Sequence, residues 1–319
     1  MGVFDFPLEE LRVYQGRNPR PADFDEYWER AMAEMRAVDP KVEFVKSDFQ
    51  TEFVECMDMY FTGVKNARIH AKYCRPKYAE EPHPAVLLFH GYTGNAGTWT
   101  DMLSYAADGF SVFSMDCRGQ GGHSEDLGGV HGTTMRGHII RGLDDGPDSL
   151  LFRDIFLDTA QLADLAMKQE EVDENRVGVH GPSQGGALTL VCAALEPRIK
   201  RLAPLFPFLS DYKRVWEMDL AKDPYEELTY YFRWFDPCHE RQEEIFERLG
   251  YIDVQNFADR IQGEVLMGTG LMDTSCPPSS QFAIYNKITA AKKHVIYPDF
   301  HHENIPDFKD KSYQFLRGL

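Results

Sequence analysis

Two kinds of hydrophobic pattern follow one another along the chain. In segments 52–62 and 67–74, apolar and polar positions alternate, with a break at 63–66. Such alternation is typical of antiparallel strands that have one solvated face. Beyond residue 80 the chain instead carries short apolar runs, which predict strands buried on both faces. These runs are 85–89, 111–115, 176–180, 264–268 and 294–297.

Helical periodicity fills the intervals between the apolar runs, at 98–107, 153–168, 184–195, 279–288 and 306–316. An earlier helix is expected over 24–36, beginning near Asp23. Alternation of strand and helix predicts a doubly wound, mostly parallel α/β sheet, here preceded by antiparallel strands. We therefore expect residues 1–319 to form a single domain, with 1–40 as an N-terminal extension.

Two stretches break the alternation. Residues 209–258 are long, aromatic and acidic, and lie between two predicted core strands. They are interpreted as a helical insertion that covers a sheet edge or a site. Residues 118–146 are rich in Gly and His, and loops of this length are usually functional or lid-like. His131 and His138, within that loop, are expected to be solvated or packing side chains.

Composition and charge exclude several classes of function. The chain has 34 Lys and Arg against 51 Asp and Glu, a formal net charge of −17. A chain this acidic repels phosphate backbones and anionic membrane surfaces, so nucleic acid is not an expected partner. No apolar run approaches the roughly 20 residues of a membrane span. The six cysteines are scattered with no CxxC pair, which favours buried thiols in a reducing cytoplasm.

The strongest chemical motif is G-x-S-x-G at 181–185, centred on Ser183. In a nucleophile elbow, a strained turn from strand to helix exposes the serine hydroxyl, and the glycines allow close backbone packing. An isolated match can be an ordinary glycine-rich turn. Here a predicted strand precedes the motif and a predicted helix follows it, so the context favours the elbow.

A serine nucleophile needs a base and an acid that orients the base, in the chain order Ser, Asp or Glu, His. Asp273 follows the predicted strand 264–268, and His301 and His302 follow the strand 294–297. Spacing alone leaves open which of the two histidines serves. Asp273 on its own would more often be a solvated loop carboxylate, but its position after a core strand favours catalysis.

An oxyanion hole is expected where the strand 85–89 ends in the sequence H-G-Y-T-G, at 90–94. In a hydrolase of this type the loop after that strand supplies one backbone N–H, and the residue after the nucleophile supplies the other. These donors would be Tyr92 and Gln184. No cofactor or metal is expected, since GxGxxG, GK[ST] and H-E-x-x-H patterns are missing.

The chain resembles the carbohydrate esterase family seven enzymes, the acetyl xylan esterases and cephalosporin C deacetylases. The resemblance rests on R-G-Q at 118–120, the elbow at 181–185 and H-E at 302–303, together with FPLEEL, NPRP and DFDEYW near the N-terminus. It implies an α/β-hydrolase that deacetylates small esters such as acetylated xylo-oligosaccharides and cephalosporin C. It selects His302 as the base, and it implies positioning roles for Arg118 and Gln120.

The same resemblance implies a doughnut-shaped homohexamer whose active sites face an internal cavity, with the 209–258 insertion in subunit contacts. One departure is His301, where the family would have a small residue. Two alternatives are a serine peptidase of the prolyl oligopeptidase type and a non-catalytic binding protein. The first would carry a large gating domain, for which the residues before the first core strand are too few. The second would lose a triad residue, and this chain keeps all three.

Overall fold

The computed structural model describes residues 4–126 and 137–319, and its centre is a sheet of nine strands. The strand order is β1-β2-β3-β5-β4-β6-β7-β8-β9, antiparallel from β1 to β5 and parallel from there to β9. The strands are β1 Glu43–Lys46, β2 Val54–Thr62, β3 Arg68–Pro76, β4 His83–Phe89, β5 Ser111–Met115, β6 Val172–Pro182, β7 Arg201–Leu205, β8 Glu264–Gly270 and β9 Lys292–Tyr297.

Helices pack on both faces of this sheet. Side chains of α3 and α10 share a core cluster with Val86 and Val112, whereas α2, α4 and α5 join the larger cluster on the other face. The predicted α/β fold class with leading antiparallel strands is confirmed. The helices are α1 Leu8–Leu11, α2 Phe24–Ala37, α3 Trp99–Ala107, α4 Leu151–Met167, α5 Gln184–Leu195, α6 Tyr212–Glu217, α7 Glu226–Phe235, α8 Gln242–Leu249, α9 Pro278–Lys287 and α10 Pro306–Leu316. In the described ranges none of these helices has the length and apolar character to span a bilayer.

One core strand, β7, was not predicted. Its sequence RLAPL is short, and Pro204 argues against a central strand because proline cannot donate to the ladder. The structure accommodates this residue by interrupting the β7–β8 pairing between Leu202 and Leu205. The short edge strand β1 was also missed, since all four of its residues are exposed and give no apolar signal.

The insertion between β7 and β8 contains α6, α7 and α8, as the helical expectation for 209–258 required. Its two ends are tied together, because the N–H of Val254 donates to the carbonyl of Leu209 and the N–H of Asp211 donates to the Asp253 carboxylate. Tyr14 from the N-terminal extension also donates to Asp211 at 2.7 Å. The extension therefore anchors the insertion to the rest of the fold.

The irregular stretch after β5 is described only in part. Residues 127–136, which include His131, lie outside the described residues. In the remainder, 3-10 turns occur at Leu143–Asp145 and Pro147–Ser149. His138 is buried, with Nε2 3.1 Å from the carbonyl oxygen of Gly119. It is therefore a packing histidine, one of the two expectations for it.

Candidate active site

The site is built around a sharp turn at Ser183, between β6 and α5. Ser183 has a φ angle of 55°, in the left-handed region that L-residues rarely adopt. A Cβ atom at Gly185 would lie 2.0 Å from the carbonyl oxygen of Phe89, and one at Gly181 would lie 2.6 Å from the same atom. The glycines of the motif are therefore required by close backbone packing, and the predicted strand–turn–helix arrangement is present.

Ser183, His302 and Asp273 lie in one hydrogen-bonded row. Ser183 Oγ is 3.0 Å from His302 Nε2, and His302 Nδ1 is 2.8 Å from Asp273 Oδ2. Asp273 is fully buried, and its Oδ1 accepts the backbone N–H groups of Ser275 and Cys276 at 2.9 and 2.8 Å. These bonds hold the carboxylate so that Oδ2 faces the imidazole.

The structure distinguishes the two adjacent histidines. The side chain of His302 is 24% exposed, and its ring centroid is 4.5 Å from that of Phe206. His301 is exposed, and its backbone N–H donates to Glu303 Oε1 at 3.1 Å. Of the pair, His302 thus stands between the serine and the aspartate. The imidazole of His301, the departure from the family pattern, is accommodated at the surface.

Gln120 connects the two segments that carry the expected oxyanion donors, the loop 90–94 and the start of α5. Its Oε1 accepts the backbone N–H of Thr93 at 2.9 Å, beside Tyr92. Its Nε2 donates to the side-chain oxygen of Gln184 at 2.8 Å. Gln120 and Gln184 are both fully buried. The backbone N–H of Gln184 lies at the start of α5, immediately after Ser183, where the helix dipole favours negative charge.

Arg118 occupies a different place, away from Ser183. Its Nε and Nη2 donate to the two carboxylate oxygens of Asp158 in α4, at 2.7 and 2.6 Å, and both side chains are fully buried. Nη1 donates to the carbonyl of Val64 at 3.3 Å. Arg118 therefore ties the loop after β5 to a helix on one face of the sheet.

The whole chain matches one protein family. The family model for acetyl xylan esterases, AXE1, matches residues 1–319. The chain belongs to the acetyl xylan esterase family. The predicted family membership is confirmed.

Similar proteins extend across nearly the whole chain. The chain is 31% identical over 302 residues to acetyl esterase Axe7A of Xylanibacter ruminicola. The match covers 92% of this chain and 65% of that protein, so the chain spans slightly less than two thirds of the curated relative's length. The crystal structure of acetyl xylan esterase 1 from Thermoanaerobacterium sp. JW/SL YS485 is 60% identical, with a TM-score of 0.95 over 98% of this chain and 99% of that one. An acetyl xylan esterase from Paenibacillus sp. R4 is 33% identical, with a TM-score of 0.90 over 98% and 100%.

A cavity of about 510 Å³, which we call the front cavity, opens onto Ser183 and His302 of the hydrogen-bonded row. A second cavity, of about 400 Å³, meets Ser183 and His302 from the side of α10. The front cavity is lined by Gly91, Tyr92, Thr93, Ser183, Asp223, Pro224, Glu226, Glu227, Ser275 and His302.

Part of this lining comes from the insertion and was not identified from the sequence. Residues 209–258 were expected to cover either a sheet edge or a site. They cover the site, because four of their residues line the front cavity: Asp223, Pro224, Glu226 and Glu227. No local motif marks these residues. The acidic character of the insertion was the sequence signal for carboxylates near Ser183. A contact between residues 40 or more positions apart cannot be predicted from spacing.

Among the described residues, one group of side chains has the spacing of a metal site. Ligand atoms of Asp273, Cys276 and His302 all lie within 4.8 Å of one another. Two of the three are already hydrogen-bonded to each other in the row with Ser183. Burial and the charge of Asp273 raise the pKa of Cys276 well above its ordinary value, so the thiol stays protonated and is a poor ligand. The arrangement is suited to nucleophilic acyl transfer.

Proposed function

We propose that the protein is a serine esterase that removes acetyl groups from small esters such as acetylated xylo-oligosaccharides and cephalosporin C. The observation that carries the proposal is the row in which His302 lies 3.0 Å from Ser183 Oγ and 2.8 Å from Asp273 Oδ2. A base oriented by a carboxylate and in contact with a serine hydroxyl is the arrangement that activates serine. Membership of the acetyl xylan esterase family supports acetyl as the group removed.

The proposed reaction begins when His302 Nε2 takes the proton of Ser183 as Oγ attacks the acetyl carbonyl carbon. Asp273 keeps the Nδ1 proton of His302 in place and stabilises the imidazolium that forms. The imidazolium then protonates the departing alcohol, which leaves an acetyl-serine. Water, deprotonated by His302, attacks the acetyl-serine, and the acid is released with the serine regenerated.

The backbone N–H groups of Tyr92 and Gln184 are the proposed donors to the oxyanion of each tetrahedral intermediate. Each such donor contributes roughly 3 kcal/mol to lowering the barrier. Gln120 supports this role, since it bonds the backbone beside Tyr92 and the side chain of Gln184 together. Arg118 is proposed to hold the loop that carries Gln120.

The proposal is tested by hydrolysis of 4-nitrophenyl acetate and 4-nitrophenyl butyrate, with the wild type beside Ser183→Ala. We expect turnover of acetate that falls with the longer acyl chain and is abolished in the variant, whose thermal midpoint stays close to wild type. Acetylated xylo-oligosaccharides and cephalosporin C then define the alcohol. Retained turnover in Ser183→Ala, or a wild type that neither turns over ester nor reacts with a fluorophosphonate, would refute the assignment.

We further propose that the chain assembles as a homohexamer with its active sites toward an internal cavity. Exposed aromatic side chains on α7 support an interface there, since Trp234 is 67% and Phe235 57% exposed. Light scattering on a size-exclusion column should give a mass near six protomers. A monomer at micromolar concentration would refute this assembly.

A further inference from the structure

A buried carboxylate from the insertion reaches the loop of the proposed oxyanion hole. Glu227, in the first turn of α7, is 2% exposed. Its Oε1 accepts a hydrogen bond from the hydroxyl of Tyr92, and its Oε2 accepts the backbone N–H of Ile139 at 2.6 Å. The backbone amides of Gly137 and Ile140 also donate to this carboxylate. One side chain thus joins three separate parts of the chain.

Burying a carboxylate in this way is costly unless its oxygens are well hydrogen-bonded. Burial raises the pKa of Glu227, while the bonds from Tyr92 and the three backbone amides act in the opposite direction. Within the described ranges, Glu227 forms no ion pair with a Lys or Arg side chain. Among the described residues the donors to this carboxylate are therefore neutral, and the carboxylate and the Tyr92 hydroxyl hold each other in place.

The loop 90–94 is consequently fixed from two sides. On one side Gln120 accepts the backbone N–H of Thr93. On the other, the Tyr92 hydroxyl donates to Glu227 and lies 3.0 Å from His138 Nδ1. Thr93 itself has a φ angle of 62°, so this loop adopts a backbone that needs support from its neighbours. A small rotation of Tyr92 would move its backbone N–H relative to Ser183.

We propose that Glu227 is a positioning residue that holds the Tyr92 backbone N–H in register with the oxyanion through the Tyr92 hydroxyl. Glu227 touches no reacting atom in this role, and the inference rests on the proposed esterase mechanism. It gives the insertion a function besides enclosing the cavity, because α7 supplies one of the two supports of the oxyanion loop. Donors must be placed to within a fraction of an ångström for the tetrahedral intermediate to be stabilised.

A double-mutant cycle between Tyr92→Phe and Glu227→Gln tests this coupling. Tyr92→Phe keeps the backbone N–H and removes the hydroxyl, whereas Glu227→Gln places an amide NH2 group among N–H donors. We expect each single variant to lower kcat for 4-nitrophenyl acetate by about tenfold, with KM changed by less than about threefold. The double variant should lose little more than either single one, about twentyfold at most, because both break the same link.

Tyr231→Phe is the matched control. Tyr231 lies on the same helix and donates to Asp144 Oδ1 at 2.6 Å, a bond of the same kind that does not involve the loop 90–94. Its loss should leave kcat within about twofold of wild type, even if the thermal midpoint falls. If Glu227→Gln does not fold, Glu227→Asp replaces it in the cycle, since the shortened side chain keeps the charge but withdraws from Tyr92.

Three results would overturn the inference: an unchanged kcat in Tyr92→Phe, losses that multiply to about a hundredfold in the double variant, or an equal loss in Tyr231→Phe. Failure of the proposed function has a different signature. In that case the wild type itself would not hydrolyse the ester. A wild type that turns over 4-nitrophenyl acetate while the cycle shows no coupling would refute the role of Glu227 alone.

Discussion

At the scale of single residues, the proposed nucleophile, acid and base could be placed approximately because each follows a core strand at a place where the fold needs a loop. Strand ends and a five-residue motif predicted Ser183, Asp273 and one histidine of the pair 301–302, and the family resemblance selected His302. The structure brings Ser183, Asp273 and His302 into one row. Glu227 was not predictable, since its contact with Tyr92 joins residues 135 positions apart through the path of the insertion. Local sequence carries no signal for such a contact.

Asp273→Asn should lower kcat by roughly a thousandfold or more while the fold is retained. The amide oxygen can still accept the backbone N–H groups of Ser275 and Cys276, but its NH2 group would then face Nδ1 of His302. The imidazole would adopt the tautomer that has a proton on Nε2, and it could not accept the proton of Ser183. Steady-state kinetics with 4-nitrophenyl acetate measures this effect.

His301→Ala is the control for that experiment, because His301 is exposed beside the reactive row. Its kcat should stay within about twofold of wild type, since surface substitutions away from buried contacts are mostly mild. A loss in His301→Ala comparable to that in Asp273→Asn would mean that the wrong histidine has been placed in the mechanism.

At the scale of secondary-structure elements, apolar runs and helical periodicity predicted the parallel strands and their covering helices, often to within two residues. The misses have physical causes. In β7, Pro204 argues against a central strand, and the sheet accommodates this proline by interrupting the pairing between β7 and β8. The exposed edge strand β1 has no buried face to produce a pattern. The ion pair between Arg118, in the loop after β5, and Asp158 in α4 could not be predicted from the sequence. The sequence showed only the R-G-Q motif that contains this arginine.

Arg118→Met tests that link. The change leaves the fully buried carboxylate of Asp158 without its bidentate partner, and removing one partner of a buried pair costs about 3–5 kcal/mol. Urea unfolding should therefore show a free energy of unfolding lower by that amount. Arg17→Met is the comparison, since Arg17 pairs with Glu217 at 2.5 Å and the two side chains are 51% and 32% exposed. There we expect a loss below about 1 kcal/mol, and equal losses in the two variants would contradict a special role for the buried pair.

At the scale of the whole molecule, a buried histidine joins the antiparallel strands to the parallel part of the sheet. His70 of β3 is buried, with Nδ1 2.6 Å from Asp116 Oδ2, just after β5, and Nε2 2.9 Å from Asp58 Oδ1 in β2. Burial by itself lowers the pKa of His70, but the hydrogen bonds and charges of Asp116 and Asp58 outweigh it and raise the pKa above its ordinary value. The rings of Tyr60 and His123 also pack against His70.

This raised pKa gives the fold a pH dependence of known sign. When folding raises a histidine pKa, the stability that it adds is complete below the unfolded pKa, about 6.5, and is lost as the pH rises through the folded value. The urea midpoint of the wild type should therefore fall as the pH is raised above about 6.5. In His70→Gln this dependence of the urea midpoint on pH should be absent. Plots of the midpoint against pH for the wild type and the variant should therefore converge at high pH and separate toward pH 6. Parallel curves over the whole range would show that His70 is neutral in the folded protein and that the strands are held without its charge.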